Sequence, residues 1–344
     1  MSVSFRSTNS GFYIAAFPFV RPATFSMKHA HFSEMAPISV SRKTKACYAF
    51  PMSEHASNLA ARCIEIARET GVGPYPAPTG IDGVTVVCSP AISAIRPDMY
   101  QPMICLVLQG AKEILHGERA VRFDAGMTAI VSHELITGAR IVEASPDNPY
   151  IALACRIDLE ILRALQGEIE PEMIAAARSE AVATGRADAG VTDAMTRLLD
   201  LRDKPLERRV LEPMIRKELH FRVLLTRNGA MLRQLAQPGS PASRIAKAIT
   251  HIKQHWNDPI RTEELADIAG MSPSSFHEHF KTVMATTPLQ YQKALRLLEA
   301  RRQLSETAVP VSSVAFAVGY ESPTQFSRDY RRAYSTPPRE MRAR

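Results

Sequence analysis

Between Thr262 and Pro338 one pattern of residue types occurs twice, and a duplicated pattern of this length fixes a supersecondary unit. The first copy runs from Ala266 through Gly270, Ser272-Pro273, Phe276 and Phe280; the second runs from Ala315 through Gly319, Ser322-Pro323, Phe326 and Tyr330. The glycines lie 49 positions apart and the aromatic pairs 50, so the second turn carries one extra residue. Leu265, Ile268 and Ala269, and again Val314, Ala317 and Val318, keep a helical period up to the glycine, which readily takes the left-handed conformation that closes a helix. Each Ser-Pro pair then reads as an N-cap followed by a first helical residue that needs no amide partner. In the second helix Phe276, Phe280 and Val283, or Phe326, Tyr330 and Ala333, make a buried stripe at i, i+4 and i+7. Ser274, Ser275, His277, Glu278 and Lys281 in one copy, and Thr324, Gln325, Ser327, Arg328 and Arg331 in the other, are left to face outward. Short polar and basic side chains just inside a helix N-terminus suit the major groove, which predicts two helix-turn-helix motifs, at 262–283 and 311–334. Arg328 is the best candidate for a bidentate guanine contact.

A cap and first-turn pair, Thr287-Pro288, opens a connecting helix that continues from Leu289 to Leu304. Sixteen residues span about 24 Å at 1.5 Å per residue, enough to hold two recognition helices in major-groove segments about 34 Å apart. Two such units joined by a long helix resemble the DNA-binding domain of the AraC/XylS family of transcription regulators. The resemblance implies a sequence-specific regulator, an activator, with promoter DNA and RNA polymerase as partners.

Charge is distributed as that reading requires. Residues 241–344 hold fifteen basic and ten acidic side chains, whereas 52–240 hold 21 and 24, within a chain of 344 residues and net charge +7. A basic excess on the duplicated half is where phosphate contacts need it. No apolar run approaches the roughly 18 residues of a membrane span, so a soluble, cytoplasmic protein with no membrane partner is expected. The five cysteines, Cys47, Cys63, Cys88, Cys105 and Cys155, are odd in number and lack C-x-x-C spacing, which speaks for a reducing compartment and against a disulfide scaffold or zinc site. His251 and His255 are four apart, but Ile245, Ile249, Ile252 and Trp256 form the core stripe of their helix and leave both at one side, exposed. Residues 1–51 carry six basic residues against Glu34 alone and no amphipathic period, a composition that superficially suits a transit peptide. A helical pattern starts just after Met52 (Leu59, Ala60, Cys63, Ile66, Ala67), so 1–51 reads instead as a disordered extension or an over-long translated start.

From about Gly83 to Asp158 short apolar runs (Val84 to Cys88, Met103 to Leu108, Thr128 to Val131, Ile151 to Cys155) alternate with turn signals at Gly110, Gly117 and Gly126, which predicts an all-β unit. Asp98 to Asp158, notably Pro102 to Gly110, Phe123 to Gly126 and Val142 to Tyr150, is similar to the sensor domain of one AraC branch. That similarity implies a small cupin-like barrel that senses a small-molecule effector. Its lining is expected from Met103, Cys105 and Val107, with Gln109 and His133 as polar anchors. Metal-dependent cupins supply an H-x-H pair on one strand; here His116 is followed by Gly117 and Glu118, with His133 far on. No cofactor, metal or catalytic residue is therefore assigned. Cys105 reads first as a small buried hydrophobe and second as a reactive thiol.

Beyond the barrel, 159–165, 172–183, 191–201 and 206–225 look helical, and Leu211, Met214, Ile215, Leu219, Val223 and Leu224 could pack on the barrel or pair with a second copy. Gln237 to Ser243 reads as a linker. The expected architecture is α+β: an extension (1–51), a cupin-like β-barrel with appended helices for sensing and dimerisation (52–236), a linker (237–243) and an all-α DNA-binding domain (244–344). Two rivals stay open: a cupin-type metalloenzyme fused to a DNA-binding domain, and a DNA-binding protein that answers to no effector.

Overall fold

The computed structural model describes residues 54–168, 180–307 and 309–341, with the side chains of 54–57 left aside. The expected extension 1–51, Cys47 within it, and most of the expected helix 172–183 lie outside the described residues. No helix among the described residues is long and apolar enough to cross a membrane.

The first half opens with α1 (Glu54–Thr70) and then gives nine strands: β1 (Gly73–Pro78), β2 (Val84–Ser89), β3 (Arg96–Tyr100), β4 (Met103–Gln109), β5 (Ala111–His116), β6 (Arg119–Asp124), β7 (Met127–Val131), β8 (Leu135–Glu143) and β9 (Tyr150–Arg156). After α2 (Leu159–Gln166) a tenth, β10 (Val182–Arg186), closes the larger sheet, and α3 (Ala189–Asp200), α4 (Pro205–Leu225) and α5 (Ala230–Ala236) follow. One sheet runs β1-β2-β9-β4-β7-β10 and the other β3-β8-β5-β6, and the pairing within both is antiparallel. The fold is α+β, as its sequence implied.

Strand alternation divides β4 between two cores. Ile104, Leu106 and Leu108 pack outward under α1, α3 and α4, with Leu59, Cys63, Leu198 and Leu219. Val107, with Met103 and Cys105 beside it, points the other way, into the space shared with Tyr100, Ile114, Phe123, Leu135 and Ile141 of the second sheet. The inner faces of the two sheets thus form the barrel interior.

Two expectations need correction. Val182 and Ala183 are not helical: they pair with Val131 and Ile130 as an added strand on the open edge of β7, where an unpaired row of amides and carbonyls takes a partner. The small-residue composition of that stretch suited either period. Pro241 to Ser243 are not linker either, since α6 (Pro241–Gln254) starts there, with the Ser240 hydroxyl accepting from Ser243 N at 3.0 Å. Ser240-Pro241 is the same cap pair that opens the recognition helices.

The second half is helical: α6, α7 (Thr262–Ala269), α8 (Pro273–Met284), α9 (Pro288–Glu306), α10 (Val311–Ala317) and α11 (Pro323–Tyr334). Ile245, Ile249, Leu265, Phe276, Phe280 and Tyr291 form a core that is continuous with the barrel interior, while Leu297, Leu304, Val314, Val318, Phe326 and Tyr330 form another.

Candidate nucleic-acid interface

Both copies of the duplicated pattern are helix pairs built alike. α7 stops at Gly270 (φ 63°, ψ 41°), whose amide returns to Ala266 and Asp267 carbonyls, and Gly319 (φ 80°) closes the equivalent turn after α10. Ser272 Oγ accepts from Ser275 N at 3.3 Å and Ser322 Oγ from Gln325 N at 3.4 Å, so each recognition helix begins on a serine cap with proline next. Phe276 and Phe280 rings stand 5.6 Å apart, as do Phe326 and Tyr330, and all four are buried. Each recognition helix also ends on a left-handed non-glycine residue, Ala285 (φ 54°) and Ser335 (φ 59°).

With the aromatic stripe buried, the opposite face is open. Ser274, His277, Glu278 and Lys281 of α8 and Thr324, Gln325, Arg328 and Arg331 of α11 are exposed. Ser275 and Ser327 are half-buried at the edge of that face, and Ser327 Oγ donates back to Pro323 O at 2.8 Å, an internal bond that competes with any outside partner. Lys281, Arg328 and Arg331 have no carboxylate partner among the described residues, so their charge is free to meet an anionic backbone or a guanine edge.

The relation between the two helix pairs is set by α9, nineteen residues and about 28 Å long. Arg296 donates to Trp256 O at 2.9 Å, Asp258 O at 3.0 Å and Gly319 O at 2.8 Å, and Gln292 donates to Trp256 O at 3.0 Å and Asp258 O at 2.6 Å. One guanidinium therefore ties the α6–α7 loop, which leads into the first unit, to the turn of the second. Lys293 meets the buried Asp329 carboxylate of α11 at 2.7 Å. Sequence reasoning passed over these three, because a polar residue on a connecting helix reads as solvated until its carbonyl partners are placed.

In the sensor half, Met103, Cys105 and Val107 share the barrel interior. Gln109 does not join them, because its Nε2 donates to Pro149 O at 2.8 Å. His133 is buried against the other half of the chain: Nε2 lies 3.0 Å from Ala242 O, which can only accept, and Nδ1 lies 2.9 Å from Ser132 Oγ. Burial is the main cause that lowers its pKa to about 4, so the ring is neutral and the Ser132 hydroxyl can donate to Nδ1. Burial likewise pushes the Cys105 thiol up to about 11, which leaves it protonated and weakly nucleophilic at neutral pH. His251 and His255 stack with ring centroids 4.2 Å apart, and His251 Nε2 lies 3.3 Å from Glu264. No group of three His, Cys, Asp or Glu that could hold a metal is gathered among the described residues. An open cleft of about 560 Å³ lies outside the barrel, between α2 and α4, where Asp158, Ile161, Arg209, Glu212 and Lys217 line it.

Sequence profiles agree with this two-part layout. Residues 80–231 match the AraC-type transcriptional regulator N-terminus, and residues 265–344 match a helix-turn-helix domain. The chain belongs to the AraC family. Its relatives include the HTH-type transcriptional regulator CdhR of Pseudomonas aeruginosa, 32% identical over 100 residues that make up 29% of this chain and 30% of that one. The HTH-type transcriptional activator RhaS of an Enterobacter species is 30% identical over 100 residues, 29% of this chain and 36% of the relative. The chain thus spans about a third of the length of these curated relatives. Among solved structures, ToxT from Vibrio cholerae in its unsaturated fatty acid complex superposes with a TM-score of 0.51 at 9% identity, over 75% of this chain and 92% of ToxT. That likeness concerns the fold alone.

Proposed function

We propose that this AraC-family chain is a transcription regulator that reads promoter DNA with α8 and α11 and adjusts that reading to a small molecule taken up by its β-barrel. The observation that carries the proposal is the pair of serine-capped helices with open polar faces, held in fixed relation by Arg296 of α9. Ser274, His277, Glu278, Thr324, Gln325 and Arg328 are the candidate base-reading side chains, and Lys281 and Arg331 candidate phosphate contacts. An activating role follows the printed name of relatives such as RhaS, and RNA polymerase is the partner that role would require.

A second copy of the chain is the proposed protein partner. Leu206, Val210, Met214, Phe221 and Leu225 leave large apolar surface exposed along one face of α4, at the spacing a helix-to-helix seam requires.

Genomic footprinting with the purified full chain tests the reading: the expected footprint has two protected segments about one helical turn apart. Binding that is equal on all DNA would contradict sequence-specific regulation.

A further inference from the structure

One ridge of α4 reads cation, apolar ring, cation. Arg209, Pro213 and Lys217 stand at i, i+4 and i+8, a spacing that keeps them on one side of the helix, and all three are exposed. They form one wall of the cleft of about 560 Å³ between α2 and α4, and Ile161 and Ala164 of α2 give apolar surface to the other. Pro213 brings no amide to the helix ladder, so the middle of the ridge offers hydrocarbon and no donor. A cleft of this size suits a small organic ligand, for which the usual range is roughly 300–1,000 Å³.

The charges of the cleft do not balance. Arg208 and Arg216 join Arg209 and Lys217 in lining it, against the carboxylates of Asp158 and Glu212, which leaves an excess of two positive charges. Both carboxylates are already engaged. Asp158 caps α2, its Oδ1 accepting from Glu160 N at 2.8 Å and Ile161 N at 3.2 Å, and Glu212 accepts from Arg216 Nε at 2.9 Å. Arg216 is held further by Cys155 Sγ at 3.4 Å and by Asp82 O, while Arg208 donates to Gly80 O at 3.0 Å. Carbonyl oxygens satisfy donors without cancelling charge. The remaining carboxylates of α4 turn elsewhere, Glu207 to Lys204 at 3.7 Å and Glu218 to Arg197 at 2.6 Å and Arg222 at 2.7 Å. Arg209 and Lys217 are thus left without an ion-pair or hydrogen-bond partner among the described residues.

These two open cations lie eight residues apart, about 12 Å of helix rise. A single carboxylate meets both only if two long side chains fold towards each other, at a cost in side-chain entropy. Two carboxylates at the ends of an apolar spacer meet one cation each and leave the spacer against hydrocarbon. We propose that the cleft between α2 and α4 binds a linear organic dicarboxylate, one end at Arg209, the other at Lys217, and its methylene chain between Pro213 and Ile161. No described residue of the barrel interior or of the DNA-reading half lines this cleft, so the site is separate from both sites proposed above.

Calorimetric titration of the full chain with adipate, pimelate and suberate, beside hexanoate, adipamide and inorganic phosphate, tests the proposal. The titrations are run at about 0.15 M salt, where loose attraction beyond about 8 Å is screened. The best dicarboxylate is expected to bind about tenfold or more tightly than hexanoate or adipamide, each of which lacks at least one charge-assisted contact. Arg209→Gln and Lys217→Gln should each lower dicarboxylate affinity about tenfold, to the level of hexanoate, with melting unchanged because both positions are exposed. Arg209→Lys should keep most of it. Hexanoate or phosphate that binds as tightly as every dicarboxylate would show charge attraction without a built site and overturn the proposal. Dicarboxylate affinity unchanged in the double variant Arg209→Gln/Lys217→Gln would place the ligand elsewhere in the chain, and no dicarboxylate binding up to about 10 mM would remove the site altogether.

Discussion

At the scale of single residues, His133 and Arg328 show opposite uses of a polar side chain. His133 is fully committed inside the chain, and its neutral ring is part of the seam between the two halves. The unfolded chain takes up a proton near pH 6.5, whereas the folded one does so only near pH 4. Stability contributed by this group is therefore full above pH 6.5 and is lost as pH falls through that window, by up to about 3 kcal/mol. Urea unfolding from pH 7 to pH 4.5, in wild type and His133→Gln, measures it; a pH slope unchanged in the variant would show that His133 contributes none of it. Arg328, exposed and unpaired, has nothing to lose on the inside. Arg328→Ala should leave the melting temperature unchanged and weaken cognate DNA binding by about 1–3 kcal/mol with relaxed preference at one base position. A loss that is equal on cognate and random DNA would make it a phosphate contact instead.

At the scale of elements, the two glycines that end α7 and α10 look interchangeable in sequence and are not so in structure. A Cβ on Gly270 would have Arg244 as its nearest neighbour, at 3.7 Å, whereas one on Gly319 would meet Asn257 O at 2.5 Å and the Arg296 guanidinium at 2.9 Å. Gly270→Ala should therefore cost about 1–2 kcal/mol, from the left-handed backbone alone. Gly319→Ala should cost clearly more and also reduce DNA binding, because it pushes on the residue that joins the two units; equal unfolding free energies for the pair would refute this account. The contrast also marks what could be read in advance. Helix starts and stops of the duplicated pattern were legible because serine, proline and glycine act locally, through backbone groups within a few positions, whereas the same cap pair at Ser240-Pro241 was read as linker. β5, β6 and β10 were not, because a strand such as Arg119–Asp124, with charges at Arg119, Arg122 and Asp124 and no apolar period, acquires its meaning only from the partner it pairs with. The same holds for Lys112 and Tyr100, an ammonium 5.2 Å from a ring centroid, twelve positions apart in sequence and brought together only when β3 and β5 join one sheet through β8.

At the scale of the whole molecule, the question is how far the DNA-reading half depends on the sensor. Several interactions cross the seam: Ala181 N donates to Val283 O at 2.9 Å, Tyr291 Oη to Glu134 O at 3.1 Å, Lys253 pairs with Glu134, and His133 holds Ala242 O. The apolar core of α6 to α9 runs on into the barrel interior. Yet Phe276, Phe280, Val283 and Tyr291 pack against helices of their own half, and the second unit's core involves no barrel residue. A fragment of residues 241–344 should accordingly fold and bind DNA, with an affinity that falls steeply with salt, since phosphate neutralisation resides in that fragment. It should also unfold at a lower temperature than the same helices in the full chain, because the seam contacts are gone and apolar surface formerly covered by the barrel meets water. Calorimetry and salt-dependent anisotropy measure both. An unfolded fragment would place the cooperative unit across the seam, and a fragment as stable as the full chain would mean that the seam transmits too little free energy for the barrel to control DNA reading at all.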